Sequence, residues 1–359
     1  MDWPSHGSNP HYLYEAMNLP FPEERIDFSA NINPLGPPPI LIENWGELLH
    51  TVTQYPDPAG RILKKKLSAQ EGLQENQVLI GNGGAEIISL IGRVLAGKKA
   101  VIVQPAFSEY EEACRVNQCK VQYHQLHADS WDWRNDDLSG KLMNADALFL
   151  CNPANPTGVF YPKPVILHLL EECRRNDCFL IVDEAFYDFL PEYESIAHYI
   201  SKYPNLLIIR SMTKMFAIPG LRLGYLLADS AVIKRVAAFQ PHWSTNALAL
   251  KAGEWCLESE SYIKETIRLI ERERQRLFYF YQERNLLVSP SSTNFYLLKD
   301  PSIQDQLPFL QFLVNRGIVP RHTVNFPGLE GGWLRFAIRG SGDNDRLMEG
   351  VDEWISSRR

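Results

Sequence analysis

Short apolar segments alternate with amphipathic segments through the middle of the chain, and this alternation restricts the fold more than any other feature. Six apolar segments of four residues begin at Val78, Ala100, Ala147, Phe179, Leu206 and Gly224. Helical patterns lie between them, for example from Ala85 and over Ser108–Val116. Buried strands separated by helices are typical of a mostly parallel sheet that is covered on both faces. The sequence therefore predicts an α/β fold.

The length of 359 residues exceeds what one compact core usually holds, and it predicts two domains. We expect residues 1–45 to form an N-terminal arm and part of a small domain, and residues 46–245 to form the large domain. Residues 246–359 should supply a connector helix and the rest of a small α+β domain, because a long helical stretch precedes further strands there.

Composition excludes several classes of partner. A net charge of −7 argues against a nucleic-acid ligand. No apolar run is long enough to span a membrane, and the N-terminus lacks the basic and apolar segments of a signal peptide. The six cysteines show neither zinc-ribbon nor redox spacing, so we expect reduced thiols, no metal site and a cytoplasmic protein.

The segment from Arg210 to Tyr225 places Lys214 close to two hydroxyls, Ser211 and Thr213, and to the guanidinium of Arg222. Hydroxyls and a guanidinium suit a dianionic phosphate, and a lysine beside cations can form an imine with an aldehyde. Pyridoxal phosphate combines an aldehyde with a phosphate, so the segment predicts this cofactor. An ordinary polar turn remains the alternative.

Other candidate residues follow the predicted strands, where ligands bind to open parallel sheets. The amides of Gly84 and Ala85 begin a helix and could hold a phosphate. Asp183 ends a strand and could pair with a pyridinium nitrogen, although a helix cap or a loop salt bridge is the simpler interpretation.

Two more strand ends contribute candidates. Asn155 lies in the stiff turn Asn152-Pro-Ala-Asn-Pro-Thr-Gly158, where its amide could donate to the phenolate of the cofactor. Phe107 could stack on the pyridine ring or belong to the core. Since all these signals follow strands of one sheet, we predict that they form one site.

Taken together, the motifs resemble the class I/II aminotransferase group of fold-type I pyridoxal phosphate enzymes, from about residue 25 to the C-terminus. The resemblance rests on the Asn-Pro-x-Asn-Pro-Thr-Gly, Asp-Glu-Ala and Ser-x-Thr-Lys motifs with the following Gly-Leu-Arg-Leu-Gly. It implies a large domain built on a mostly parallel, seven-stranded-type sheet and a smaller α+β domain. It also implies that Lys214 forms the imine with the cofactor.

The resemblance carries two further expectations. Tyr55, in Gln54-Tyr-Pro-Asp-Pro58, resembles the tyrosine that reaches the cofactor phosphate of the neighbouring subunit, which implies a homodimer with shared active sites. Many relatives have a tyrosine three residues after the aspartate, as a second donor to the cofactor phenolate. This chain has Phe186 there, so that donor is missing.

Four stretches narrow the resemblance to the threonine-phosphate decarboxylase subfamily of cobalamin biosynthesis, which is close to the histidinol-phosphate aminotransferases. They are Ser5–Asn9, Asp27–Gly36, Asn325–Leu329 and Leu334–Arg339. Ser8 stands where many of these decarboxylases have a glycine. The resemblance implies a small phosphorylated amino-acid substrate, L-threonine O-3-phosphate.

By this resemblance, Arg335 binds the substrate carboxylate, and Arg321 binds the substrate phosphate together with His6, Ser8 and Asn31. The alternatives are a surface or domain-interface ion pair for Arg321 and for Arg339, and a solvent-exposed histidine for His6. At the level of function, the alternatives are an aminotransferase for a phosphorylated amino compound and, more distantly, a non-catalytic protein that binds the cofactor.

Overall fold

The computed structural model describes residues 3–127, 130–131 and 137–358. The strands are β1 (Ile26–Asp27), β2 (Val78–Gly81), β3 (Lys99–Gln104), β4 (Lys120–Gln125), β5 (Ala147–Cys151), β6 (Phe179–Asp183), β7 (Leu206–Ser211), β8 (Gly224–Ala228), β9 (Leu287–Val288), β10 (Phe295–Lys299), β11 (Ile318–Val319), β12 (Arg321–His322) and β13 (Leu334–Ala337).

The helices are α1 (Pro10–Ala16), α2 (Pro39–Glu43), α3 (Trp45–Leu48), α4 (Arg61–Glu71), α5 (Gly84–Val94), α6 (Glu109–Val116), α7 (Leu138–Leu142), α8 (Lys163–Arg175), α9 (Ser230–Ala237), α10 (Ala247–Cys256), α11 (Glu260–Gln282), α12 (Leu307–Val314) and α13 (Ser341–Ser356). Helices α10 and α11 occupy the predicted connector.

Seven strands form the central sheet, in the order β2-β8-β7-β6-β5-β3-β4. Strand β8 runs antiparallel to both of its neighbours, and the other pairs are parallel. The carboxyl ends of β3, β5, β6 and β7 therefore meet at one edge of the sheet. This architecture confirms the predicted α/β fold with a mostly parallel seven-stranded sheet.

Strand β4 was not predicted from the sequence. Its residues, Lys-Val-Gln-Tyr-His-Gln, are mostly polar, and it lies at the edge of the sheet, where it pairs with β3 alone. An edge strand needs fewer apolar residues than a central strand, because one of its sides has no neighbouring strand to pack beside it. The apolar pattern that identified the other six strands of this sheet is absent from β4.

The two faces of the central sheet pack against different sets of side chains. Ile181 and Ile209 contact the core formed with α5, α6 and α9, whereas Val182 and Ile208 belong to the core on the other face. Successive side chains of a strand point to opposite faces. This alternation puts Ser211, at the end of β7, on the face of Ile209, and its neighbour Arg210 on the opposite face.

The C-terminal part of the chain contains a four-stranded antiparallel sheet in the order β12-β13-β10-β9. The N-terminal segment joins this part, since Ile26 of β1 is in register with Ile318 of β11. The exact boundaries of the three regions remain a prediction.

Among the described residues, none of the helices combines the length and apolarity needed to cross a membrane. All six cysteines lie within the described residues and are free thiols.

Arg210 is fully buried and joins three parts of the large sheet region. Its Nε donates to Glu184 Oε2 at 2.9 Å, its Nη2 donates to Ser195 Oγ at 3.0 Å, and its Nη1 donates to Glu71. The guanidinium carbon lies 4.0 Å from the centre of the Tyr187 ring. A buried charge needs such partners because the protein interior solvates it poorly. Arg210 therefore ties the ends of β6 and β7 to α4.

We expect Arg210→Met to lower the free energy of unfolding by about 3–5 kcal/mol, because it leaves two buried carboxylates without their cation. Urea unfolding followed by circular dichroism would measure the change. The matched control is Arg174→Met, because Arg174 forms an exposed pair with Glu171. The control should change the urea midpoint little. Equal effects of the two substitutions would contradict the role assigned to Arg210.

Candidate active site

A pocket of about 460 Å³ lies at the edge of the central sheet where the parallel strands end. Fourteen of the fifteen predicted site residues line it: His6, Ser8, Asn31, Gly84, Ala85, Phe107, Asn155, Asp183, Ser211, Thr213, Lys214, Arg222, Arg321 and Arg335. Tyr55 is not among the lining residues, and 84% of its surface is exposed. The structure thus brings together the predicted residues from every strand end.

One end of the pocket is suited to a phosphate. Helix α5 begins at Gly84, and its N-terminal amides and dipole favour an anion. Gly83 has φ +81°, and a Cβ added there would lie 2.7 Å from Arg222 Nη2, so the guanidinium packs directly on this turn. The hydroxyls of Ser211 and Thr213 are 2.8 Å apart. Amides, hydroxyls and a guanidinium are the donors that a phosphate requires.

Lys214 lies on the loop after β7, beside these donors. Its carbonyl accepts a hydrogen bond from the Asn33 amide at 3.1 Å, and Asn33 Nδ2 donates to Met215 O at 2.8 Å, so the loop is held by the N-terminal segment. Burial, followed by the charges of Arg222 and Arg335, lowers the pKa of Lys214 to about 8. A larger fraction of the amine is therefore neutral at pH 7 than for an ordinary lysine.

Asp183 is buried at the end of β6. Tyr110 donates its hydroxyl proton to Asp183 Oδ2 at 2.5 Å, and the Ala185 amide donates to Oδ1 at 3.0 Å. Burial raises the pKa of Asp183 above its usual value, and the two donors and the charge of Lys214 oppose that rise. Within the described residues it forms no salt bridge and caps no α-helix, and it lines the pocket.

Asn155 and Arg335 orient each other. Arg335 Nη1 donates to Asn155 Oδ1 at 2.6 Å, and Nη2 donates to Ser29 O at 2.7 Å. Because a guanidinium only donates, the oxygen of the Asn155 amide must face Arg335, which leaves the amide nitrogen for a ligand. Arg335 Nε is buried and has no partner in the part of the chain that the structure describes, and burial lowers the pKa of Arg335 to about 10. A buried donor without a partner points to a bound anion.

Arg321 is also buried and belongs to the same pocket. Its Nη2 donates to Ser5 O at 2.7 Å and to Asn325 Oδ1 at 2.8 Å. Burial and the nearby charge of Arg335 lower the pKa of Arg321 to about 9. Arg339 differs, since it pairs with Asp343 at 3.1 Å outside this pocket. The ion-pair interpretation therefore fits Arg339 and not Arg321.

Two aromatic positions border the pocket. The ring of Phe107 is half-buried and meets Tyr110 edge-on, with the ring centres 5.9 Å apart. Phe186 is buried and packs edge-on against Phe295, with centres 4.7 Å apart. Phe186 therefore supplies an apolar ring to the site and has no hydroxyl to donate.

Sequence reasoning missed Tyr110, Ser29 and Asn33. The role of Tyr110, in the first turn of α6, depends on its contact with Asp183, 73 residues away in the chain. The roles of Ser29 and Asn33 depend on contacts with Arg335 and with the Lys214 loop, far away in the chain. No local pattern carries that information.

The pocket has an unequal charge distribution. Its lining includes the cations Lys214, Arg222, Arg321 and Arg335, and Asp183 is its one carboxylate within the described residues. Those residues also contain no group of three or more metal-ligating side chains. The arrangement can hold a ligand with several anionic groups beside a reactive amine.

Known proteins resemble this chain over almost its whole length. The family model described as aminotransferase class I and II matches residues 23–353. The chain is 33% identical to the threonine-phosphate decarboxylase of Salmonella typhimurium, over 96% of this chain and 94% of that protein.

Two solved structures are similar over 92% of this chain and 99% of theirs. One is histidinol-phosphate aminotransferase from Clostridium acetobutylicum, with a TM-score of 0.86 and 30% identity. The other is L-threonine-O-3-phosphate decarboxylase from Porphyromonas gingivalis, with a TM-score of 0.82 and 26% identity.

We expect Tyr110→Phe to lower the free energy of unfolding by about 1.5–3 kcal/mol, because it removes a hydrogen bond to a buried carboxylate. Thermal unfolding at pH 7 would measure the loss. Tyr123→Phe is the matched control, since Tyr123 donates to Glu111 in a half-buried position. A Tyr110→Phe protein no less stable than the control would refute the contribution assigned to this bond.

Proposed function

This chain belongs to the aminotransferase class I and II family, and we propose that it decarboxylates L-threonine O-3-phosphate to (R)-1-amino-2-propanol O-2-phosphate and carbon dioxide. Its cofactor is pyridoxal phosphate. The product would enter the synthesis of the cobalamin side chain. The expected compartment is the cytoplasm, where free thiols such as its six cysteines persist.

The donor set of the pocket fits this cofactor. Gly84, Ala85, Ser211, Thr213 and Arg222 would hold the phosphate, as the donors around the α5 terminus indicate. When bound, pyridoxal phosphate supplies an aldehyde that reacts with an amine and a ring that accepts electrons from a broken bond at Cα.

Three further residues would fix the cofactor ring. Asp183 would pair with its nitrogen, the Asn155 amide would donate to its phenolate oxygen, and Phe107 would stack on its face. Lys214 would bind the aldehyde, because its lowered pKa makes the neutral amine available.

The observation that carries the proposal is the pair of buried arginines on β12 and β13. Arg321 and Arg335 line the pocket, and neither has a carboxylate partner among the described residues. Two cations in addition to the phosphate site suit a substrate with two anionic groups. Arg335 would bind the carboxylate, and Arg321, with His6, Ser8 and Asn31, would bind the phosphate.

These two anchors also decide which bond at Cα breaks. A substrate held at both ends has one orientation, and only one bond at Cα is then aligned for cleavage. The proposal is that Arg335 and the phosphate site align the bond to the carboxylate. The Lys214 amine would return a proton to Cα after carbon dioxide leaves.

The holoenzyme should release one carbon dioxide for each threonine phosphate consumed, and the amine phosphate should appear in the proton NMR spectrum. Arg321→Gln should raise KM by about 10–100-fold, because it removes charge-assisted bonds to the phosphate. Arg339→Gln is the matched control, since Arg339 lies outside the pocket, and its KM should stay near the wild-type value.

The rival is an aminotransferase for histidinol phosphate, which is what the similar structure from Clostridium acetobutylicum is called. Amino transfer from histidinol phosphate to 2-oxoglutarate, without carbon dioxide from threonine phosphate, would overturn decarboxylation. A protein that binds the cofactor but turns over neither substrate would favour the non-catalytic alternative.

We also propose a homodimer with shared active sites. Tyr55 is 84% exposed and lies 5.2 Å, ring centre to ring centre, from Trp243, which is 51% exposed. Leu49 and Val52, shortly before Tyr55 in the chain, are exposed by 71% and 61%. Exposed apolar surface of this kind favours burial against a partner. A second copy covering it would let Tyr55 reach the cofactor phosphate of its neighbour.

Mixing Lys214→Ala with Tyr55→Ala tests this arrangement. If Tyr55 serves the neighbouring site, a hybrid dimer has one intact site, and random exchange of equal amounts should restore about one quarter of wild-type activity. Each variant alone should be nearly inactive or strongly impaired. Absence of recovery, although mass spectrometry shows that hybrids form, would contradict a shared site.

A further inference from the structure

The N-terminal arm is docked over the pocket through residues 5–8. The Ser5 carbonyl accepts hydrogen bonds from Arg321 at 2.7 Å and from Asn325 at 3.0 Å. The Ser8 amide donates to Ser29 Oγ at 2.9 Å. Gly7 packs so closely on Ser29 that an added Cβ would lie 2.6 Å from the Ser29 carbonyl oxygen. These contacts define the position of His6, the residue between them.

The side chain of His6 contacts Glu109, a residue that has no part in the proposed function. His6 Nε2 lies 3.0 Å from Oε1 of Glu109, the first residue of α6. The imidazole also lies beside Phe107, with ring centres 5.8 Å apart. Glu109 does not line the pocket, whereas His6 does, so the histidine stands between the carboxylate and the ligand space.

The contact with Glu109 affects which hydrogen bonds His6 can donate to a ligand. A neutral imidazole has one donor nitrogen, and Glu109 needs that donor at Nε2, which would leave Nδ1 as an acceptor. An acceptor facing a phosphate is unfavourable. A protonated imidazole donates from both nitrogens and can bond to a carboxylate and a phosphate at the same time.

We propose that Glu109 is a positioning residue that orients the imidazole of His6, through the contact at Nε2, so that His6 meets the substrate phosphate. This inference rests on the proposed function, because it takes the phosphate group of the substrate as the ligand of His6.

Glu109 is an anionic residue beside a pocket that carries several cations. Arg321, Arg335 and Lys214 line that pocket. Glu109 is the carboxylate that faces His6, and its own pKa is lowered by the hydrogen bond from His6. Its place in the first turn of α6 also favours the ionised form.

A double-mutant cycle tests the proposal in the cofactor-loaded enzyme. Glu109→Gln keeps an acceptor for Nε2 but removes the charge, and His6→Gln removes the imidazole. Each should raise the Kd for inorganic phosphate, measured by calorimetry, and KM for threonine phosphate by about 10-fold, with kcat within about twofold. Because Glu109 acts through His6, the double variant should also show about a 10-fold effect, not about 100-fold.

Glu112→Gln is the matched control, since Glu112 is exposed on the same helix, and it should leave both constants unchanged. Additive effects of the two substitutions, an unchanged Kd in Glu109→Gln, or no measurable phosphate binding by the wild-type protein would overturn the inference. The phosphate measurement separates it from the proposed function. If wild-type phosphate binding depends on Glu109 as expected while threonine phosphate is not decarboxylated, the reaction assignment fails and the Glu109 role stands.

Discussion

The active site depends on a guanidinium that, among the described residues, is buried without a carboxylate partner. Arg335 is held by two neutral oxygens, from Asn155 and Ser29, and within the same residues its Nε has no acceptor. Such a charge is costly in the protein interior, and the charge of Arg335 adds to the effect of burial in lowering the pKa of Lys214 and of Arg321. The cost is offset when anionic groups bind. The contacts of Arg335 fix residues of β13, of the loop after β5 and of the N-terminal segment around one ligand space.

Neighbouring residues of the sheet serve separate purposes because a strand alternates its faces. Ser211 faces the pocket, and the adjacent Arg210 anchors the opposite side through Glu184. Glu184 in turn follows Asp183, which faces the pocket. The buried charge network behind the sheet therefore fixes the backbone that carries the pocket residues, without contributing any group to the pocket.

The N-terminal segment shows where sequence reasoning stops. Its lack of periodicity predicted an extended arm, yet it makes many of the contacts that complete the site. The Ser29 carbonyl accepts a hydrogen bond from Arg335. Asn33 forms a hydrogen bond with the loop that carries Lys214, and His6 contacts Glu109. Each of these three contacts joins residues more than one hundred positions apart in the chain. Phe107 could be predicted by motif, but Tyr110 was missed because its role depends on Asp183, 73 residues away.

The sequence by itself determined the α/β class, the cofactor and fourteen of the residues that line the pocket. It could do so because apolar strands identify the sheet, and the residues that follow them must gather at its carboxyl edge. The tertiary structure decided how those residues are held and charged. The lowered pKa of Lys214, the orientation of the Asn155 amide and the pairing of His6 with Glu109 arise from burial and from neighbours distant in the chain. Such effects depend on distance in space, which only the folded chain sets.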